Sequence, residues 1–184
     1  YRKNGGNRLK IAVIYKSHYG TTKRYAEWTA EALDAELLER SSVKPEDLAD
    51  YDLVVFGGGL YASGILGINL VTKNPPRELI LFTVGLANPE ETDYSEILDK
   101  NLPAGLRDKV KVFHFRGGID YKKLNIVHRG LMAMMKKMTI GNKDYAQLNS
   151  EERAFADTYG KEVDFTKQNN IIPLVDYIKN HLNR

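Results

Sequence analysis

Three short runs of apolar residues, at 9–15, 53–56 and 79–84, are rich in β-branched and aromatic side chains, and each stops at glycine or turn-forming residues. Runs of that length without polar alternation predict strands buried on both faces, as in a parallel sheet. A fourth run, Val110 to Phe115, alternates Val110 and Val112 with lysines before it reaches Arg116-Gly117-Gly118. Between the first two runs, Thr22 to Leu33 puts Tyr25, Trp28, Thr29, Ala32 and Leu33 on one helical face, and Glu36 to Arg40 is a weaker strand. Lys44-Pro45-Glu46-Asp47-Leu48 predicts a short helix with proline in its first turn. The resulting β-α-β-α-β order, without repeats or low-complexity segments, predicts a doubly wound α/β sheet with helices on both faces. Residues 1–8 show no apolar pattern and are read as a tail, native or added, which leaves 9–184 as a single domain.

Ligands of such a sheet sit beyond the carboxyl ends of the strands, so the loops leaving the strands carry the chemistry. The first is Ser17-His18-Tyr19-Gly20-Thr21-Thr22. The hydroxyls of Ser17, Thr21 and Thr22, together with the free N–H groups of the turn and of the first helical turn, suit one phosphate, whose charge the helix dipole favours. An ordinary helix cap would need only one of those hydroxyls. There is no G-x-x-x-x-G-K-[ST] loop, since Lys16 and Lys23 lie outside the turn. After the second and third strands come Gly57-Gly58-Gly59-Leu60-Tyr61-Ala62-Ser63-Gly64 and Gly85-Leu86-Ala87-Asn88-Pro89, and the fourth delivers Gly117-Gly118-Ile119-Asp120. Glycines let a flat ring approach main chain, and Tyr61 offers a face for stacking. Residues 57–62 also fit G-x-G-x-x-A, but a dinucleotide fold puts that turn after its first strand and an acidic residue at the end of the next, which here ends in Gly85.

The first loop resembles the phosphate loop of flavodoxins, with Tyr19 where many members have threonine. Over Lys10 to about His181 the chain is similar to flavodoxin-fold proteins, and in particular to the branch that includes menaquinone-dependent protoporphyrinogen dehydrogenase. The features that carry this are residues 17–22, Gly59-Leu60-Tyr61-Ala62-Ser63-Gly64, Val84-Gly85-Leu86-Ala87-Asn88, and Arg116-Gly117-Gly118-Ile119-Asp120-Tyr121 leading to Val127-His128-Arg129-Gly130-Leu131-Met132. The resemblance implies a flavodoxin-like five-stranded parallel sheet and non-covalent FMN. Its phosphate would lie at Ser17, His18, Tyr19, Gly20, Thr21 and Thr22. Its ring would lie between Gly59, Leu60, Tyr61, Ala62, Ser63 and Gly64 on one side and Val84, Gly85, Leu86 and Asn88 on the other, with Gly118 and Asp120 from the fourth loop. The stretch from Leu86 to Asp108 and a Tyr121 to Met138 helix belong to that branch and not to small electron carriers. The porphyrin substrate does not transfer, because no porphyrin-binding signature is present.

Composition removes whole classes of chemistry. Without cysteine there are no disulfides, thiolate metal sites, iron–sulfur clusters or cysteine nucleophiles, and the histidines at 18, 114, 128 and 181 show no metal-ligand spacing. No catalytic acid–base pair or nucleophile is evident. No apolar run is long enough to cross a bilayer, and there is no signal peptide, so a cytoplasmic protein is expected. The formal charge of +3 departs from the acidity of electron-carrier flavodoxins. Residues 121–143 hold Lys122, Lys123, Arg129, Lys136, Lys137 and Lys143 and no acid, so the rest of the chain is 21 basic against 24 acidic, or −3. A wheel puts Leu124, Val127, Leu131, Met134, Met135 and Met138 on one face with the basic residues opposite. That pattern suits a core helix with a solvated face, or a docking surface for anionic lipid or an acidic partner at the inner face of the membrane. Two functions stand: an FMN oxidoreductase acting on a quinone or other small redox substrate, or a carrier passing electrons between proteins. Nucleic-acid binding is weak, since no base-stacking aromatics interleave with the basic residues. Oligomeric state is open.

Overall fold

The structure, a computed structural model, describes residues 9–61 and 63–182; the tail expected at 1–8 and the candidate Ala62 lie outside the described residues. In chain order the strands are β1 (Ile11–Lys16), β2 (Glu36–Glu39), β3 (Leu53–Tyr61), β4 (Gly64–Ile65), β5 (Leu79–Gly85), β6 (Lys111–Arg116), β7 (Gly118–Asp120) and β8 (Glu162–Asp164). The α-helices are α1 (Thr21–Leu33), α2 (Asn69–Lys73), α3 (Ser95–Asn101), α4 (Ala104–Arg107), α5 (Ile126–Thr139), α6 (Ser150–Thr158) and α7 (Ile172–Leu182). Five parallel strands pair in the order β2-β1-β3-β5-β6, with short β4 antiparallel to the end of β3. The expected five-stranded doubly wound sheet is therefore present.

Alternate side chains of each central strand enter different cores, because successive residues point to opposite faces. Ile11 and Val13 pack with Tyr25 and Leu33 of α1, Val55, Phe82, and Leu174 and Ile178 of α7. Ala12 and Ile14 pack on the other face with Leu48, Val54, Phe56, Leu70 of α2, Leu81 and Leu98 of α3. Both faces of the sheet are thus covered by helices, and Val13, Ile14, Val54, Val55, Phe56 and Phe82 are fully buried.

Several local expectations shift. Strand β3 runs on through Gly57, Gly58 and Gly59, read from sequence as loop, because β1 and β5 supply ladder partners on both sides. Helix α1 buries Thr22, Tyr25, Ala26, Thr29, Ala30 and Leu33, while Ala32 is exposed. The turn at Pro45–Asp50 is a 3-10 helix, started by the Asp47 carboxylate accepting from the Lys44 N–H at 2.8 Å. Residues 86–108 carry α3 and α4. The helix expected from Tyr121 to Met138 is a 3-10 turn at Tyr121–Lys123 followed by α5, whose start is capped by the Asn125 side chain accepting from the His128 N–H at 2.8 Å.

Beyond β6 the chain leaves the sheet, and it returns beside its own exit: β7 and β8 pair antiparallel, Gly118 opposite Asp164. Arg24 on α1 holds this ribbon to the body, Nη1 donating to Asp164 Oδ2 at 2.7 Å and to Thr166 Oγ1 at 2.6 Å. Between the two short strands, α5 and α6 arch over the carboxyl ends of the sheet, and the Ser150 hydroxyl at the start of α6 donates to the Glu91 carbonyl at 3.0 Å. We call residues 121–161 the roof. Among the described residues no helix is long and apolar enough to cross a membrane.

Candidate functional site

The turn after β1 is built by local hydrogen bonding. The Gly20 N–H donates to Ser17 Oγ at 2.9 Å, and Gly20 takes a left-handed conformation, φ 91°, from which α1 starts with no side-chain cap and no acid in its first turn. The N–H groups of that turn are left for an anion, and the Ser17 hydroxyl keeps its own proton to donate. Two glycines bring main chain against the threonine hydroxyls. A Cβ on Gly59 would stand 3.2 Å from Thr22 Oγ1, and one on Gly117 would stand 3.2 Å from Thr21 Oγ1 and 2.7 Å from a Val84 methyl. The Tyr61 hydroxyl is buried without a hydrogen-bond partner among the described residues, which leaves a donor open to a ligand.

These groups open into one cleft of about 350 Å³ at the carboxyl ends of β1, β3, β5 and β6. Of the residues singled out from sequence, Ser17, His18, Tyr19, Thr21, Thr22, Gly59, Leu60, Tyr61, Ser63, Val84, Gly85, Leu86 and Gly118 line it. The other described candidates are structural. Gly20 shapes the turn, and Gly64 begins β4. Asn88 bonds within its own loop, Nδ2 donating to Glu91 Oε1 at 2.8 Å. Asp120 starts the 3-10 turn by accepting from the Lys122 N–H at 2.9 Å and pairs with Lys123 at 3.1 Å.

The roof supplies further lining: His128 and Met132, within the 127–132 segment that carried the resemblance, Leu124 and Met135 from around α5, and, with no motif to mark them, Asn149, Glu152 and Phe155 from around α6. The face of α5 expected from the wheel is rotated. Leu124 and Met132 are buried, but Val127, Met134 and Met138 are 73%, 52% and 77% exposed and Ile126 is 85% exposed. The spacing 124, 128, 132, 135, 139 is itself helical, and its one polar aromatic, His128, was the signal that could have identified the inward face. Arg129 is committed to the helix start, Nε donating to the Leu124 carbonyl and Nη2 to the Lys122 carbonyl, each at 3.0 Å.

Four rings meet at the rim of the cleft. His18 lies 5.3 Å from His128 and 5.6 Å from Tyr61, Tyr61 lies 5.6 Å from His128, and the Tyr19 hydroxyl hydrogen-bonds His128 Nδ1, tying the turn to the roof. Burial, then the nearby charges of His128 and Lys16, hold the His18 pKa below the ordinary histidine value. Burial raises Tyr19 and Tyr61 above the ordinary tyrosine value, so both keep their protons at neutral pH. The cleft lining includes no lysine or arginine, and its one carboxylate, Glu152, takes the Lys143 ammonium at 2.6 Å. Among the described residues no group of histidine, aspartate or glutamate could hold a metal ion.

Comparison with known proteins gives one family match: a family model described as a flavodoxin domain fits residues 12–146. An uncharacterized protein of Methanocaldococcus jannaschii is 28% identical over 98 residues, 50% of this chain and 65% of that protein, so the match spans less than two thirds of its length. Among solved structures, a flavodoxin from the domain Archaea is 17% identical, covering 62% of this chain and 87% of its own, with a TM-score of 0.44. A flavoprotein in complex with FMN from Lactobacillus acidophilus is 15% identical, covering 59% of this chain and 93% of its own, with a TM-score of 0.39.

Proposed function

The chain belongs to the flavodoxin domain family, and from that premise we propose that it binds FMN non-covalently and uses it to exchange electrons with a quinone or another small redox substrate. The carrying observation is the hydroxyl-bearing turn at the uncapped start of α1 opening directly into the cleft. Ser17, Thr21 and Thr22 with the turn N–H groups hold the phosphate, and the 59–64 and 84–88 segments with Gly117 and Gly118 receive the ring. The geometry fits that group: one monoester site, glycine main chain brought close, and apolar walls. Bound there, a flavin supplies one- and two-electron chemistry, while the protein sets its potential through burial and main-chain hydrogen bonds. Apolar walls with no lysine or arginine disfavour an anionic reduced ring, because an unpaired buried charge is costly. Acid precipitation of purified protein is expected to release FMN, and the apoprotein to take up FMN at one equivalent. Recovery of FAD, or no FMN uptake, overturns the proposal.

A carrier that serves other proteins is the alternative. The roof favours a small substrate, since it adds walls to the cleft where a docking partner would need access. Reduction of a quinone by the pre-reduced protein supports the enzyme; no quinone reaction, with fast transfer to a protein acceptor, supports the carrier. A porphyrinogen, which carries propionate carboxylates, would meet no lysine or arginine in this lining, so an uncharged substrate suits it better.

The exposed face of α5 favours a second reading, contact with an anionic membrane surface. Ile126, Val127, Met134 and Met138 stand out of the protein in a segment of 23 residues without an acid, and each lysine near an anionic bilayer adds about 1 kcal/mol that salt removes. Co-sedimentation with phosphatidylserine vesicles at low salt, lost in Lys122→Gln/Lys123→Gln/Lys137→Gln with FMN content unchanged, is the expected result. No co-sedimentation of the parent protein removes this reading.

A further inference from the structure

The segments that wall the cleft are not held alike. The loops after β5 and β6 bond main chain to main chain, the Gly117 N–H donating to the Gly85 carbonyl at 2.6 Å. The turn from β3 to β4 has less support, since the ladder there is two residues deep and, among the described residues, β4 pairs with β3 alone. Ser63, which lines the cleft, holds a left-handed backbone in this turn, φ 60°. A residue with a Cβ keeps that conformation only where its surroundings fix it.

One side chain from another element supplies the fixing. Asn101, the last residue of α3 and no part of the cleft lining, accepts from the Ile65 N–H through Oδ1 at 3.0 Å. Through Nδ2 it donates to the Ser63 carbonyl at 2.9 Å and to the Ile97 carbonyl at 2.8 Å. A carboxamide presents an acceptor and a donor side by side, as a peptide group does, so Asn101 bonds the N–H of residue 65 and the C=O of residue 63 in place of a neighbouring strand. The bond to Ile97, one turn back on its own helix, sets the orientation of the amide. Turned over, it would point its oxygen at two carbonyls.

We propose that Asn101 is a positioning residue for the ligand, fixing from outside the cleft the Ser63–Ile65 wall against which the ring is received. The inference rests on the flavin reading and deepens it: the phosphate turn is preformed by its own Ser17 to Gly20 bond, whereas the turn at Ser63 is preformed by α3. Without Asn101 that turn would have to be ordered when the ligand binds, which lowers affinity. Aspartate could not replace it, because a carboxylate keeps the acceptor for Ile65 but sets oxygen against the Ser63 and Ile97 carbonyls.

The test is titration of apoprotein with FMN by fluorescence quenching, under conditions where urea unfolding shows each variant folded. Asn101→Ala is expected to weaken FMN by about three- to thirtyfold. Asn101→Asp is expected to weaken it at least as much, and takes the place of the alanine variant if that one does not fold. Ser63→Gly added to Asn101→Ala lets the backbone turn left-handed with no Cβ to crowd it, and is expected to recover most of the loss. A role confined to closing the end of α3 would give no such recovery. Unchanged FMN affinity in Asn101→Ala, parent-like binding by Asn101→Asp, or no recovery by Ser63→Gly overturns the proposal. Failure of both position-101 variants to fold also overturns it, by assigning Asn101 to the stability of the fold. Failure of the parent apoprotein to take up FMN defeats the flavin reading and this inference with it, while normal uptake by the parent with unchanged affinity in the variants defeats this inference alone.

Discussion

The sheet body and the roof contain amphipathic segments of similar apolar content but treat them in opposite ways. In the body, the main apolar stripes meet one another: Tyr25, Ala26 and Leu33 of α1 and Leu174 and Ile178 of α7 disappear against strands buried on both faces, with Leu37, Ile172 and Tyr177 left exposed at the margins. In the roof, α5 turns Met132 inward over an open cleft and leaves Ile126, Val127 and Met138 in solvent. Apolar side chains in the body are there for stability. Those on the two sides of α5 lie largely outside this chain's core, Met132 and Met135 lining the cleft and Ile126, Val127 and Met138 exposed.

The largest effect that would sharpen this contrast is in the core. Phe56→Ala removes a fully buried ring from the centre of the sheet and is expected to cost about 3–5 kcal/mol in urea unfolding. A loss below about 1 kcal/mol would show that the body is as loosely determined as the roof. Next in size is an acid dependence that belongs to the body. His114 of β6 stacks on Tyr94 at 3.6 Å and hydrogen-bonds Thr83 Oγ1 at 2.6 Å; burial, with the Arg107 charge second, lowers its pKa from 6.5 to about 4. The unfolded chain therefore takes up this proton before the folded one does. The contribution is fully present above about pH 6.5 and is lost as pH falls towards 4, by on the order of 2–3 kcal/mol. Urea unfolding at pH 7 and pH 4.5 should show that difference shrinking in His114→Gln.

Thr22→Ala tests the boundary between the two regions, where the turn after β1 opens into the cleft that the roof covers. It is expected to weaken FMN by about 1.5–3 kcal/mol, tenfold or more, with the unfolding midpoint nearly unchanged. An unchanged FMN affinity would reduce the Thr22 hydroxyl to a role in packing. The smallest effect is expected on the outer face of the roof: Met138→Ser should alter unfolding free energy by less than about 0.5 kcal/mol. A loss of more than about 1 kcal/mol would mean that this face is covered by another copy of the chain or by a partner, and would end its comparison with the body.

Legibility followed the same division. Strands β1, β3 and β5 could be read because a doubly buried strand has no polar alternation, and the turn at Ser17 to Thr22 could be read because three hydroxyls are more than a cap requires. The glycines after Phe56 read as loop in the sequence, since residue type does not reveal that two neighbouring strands offer ladder partners there. The inward face of α5 was missed because apolar residues occupy most of its circumference, so period alone leaves the rotation open, and tertiary contacts of His128 with Tyr19 decide it. The ribbon of β7 and β8, three residues each and 44 positions apart at the centre of its register, Ile119 opposite Val163, has no local signal at all.

That ribbon has a topological consequence. Because the chain leaves for the roof and comes back along adjacent antiparallel strands, the 41 residues between Asp120 and Glu162 form a closed excursion whose two ends are already neighbours. Such an excursion can be lengthened, shortened or exchanged for a tight turn without re-threading any strand of the sheet, and at little cost in closure entropy. The part of the molecule that roofs the cleft is thereby free to diverge at its own pace, while the order of the parallel strands and the turn after β1 stay as they are.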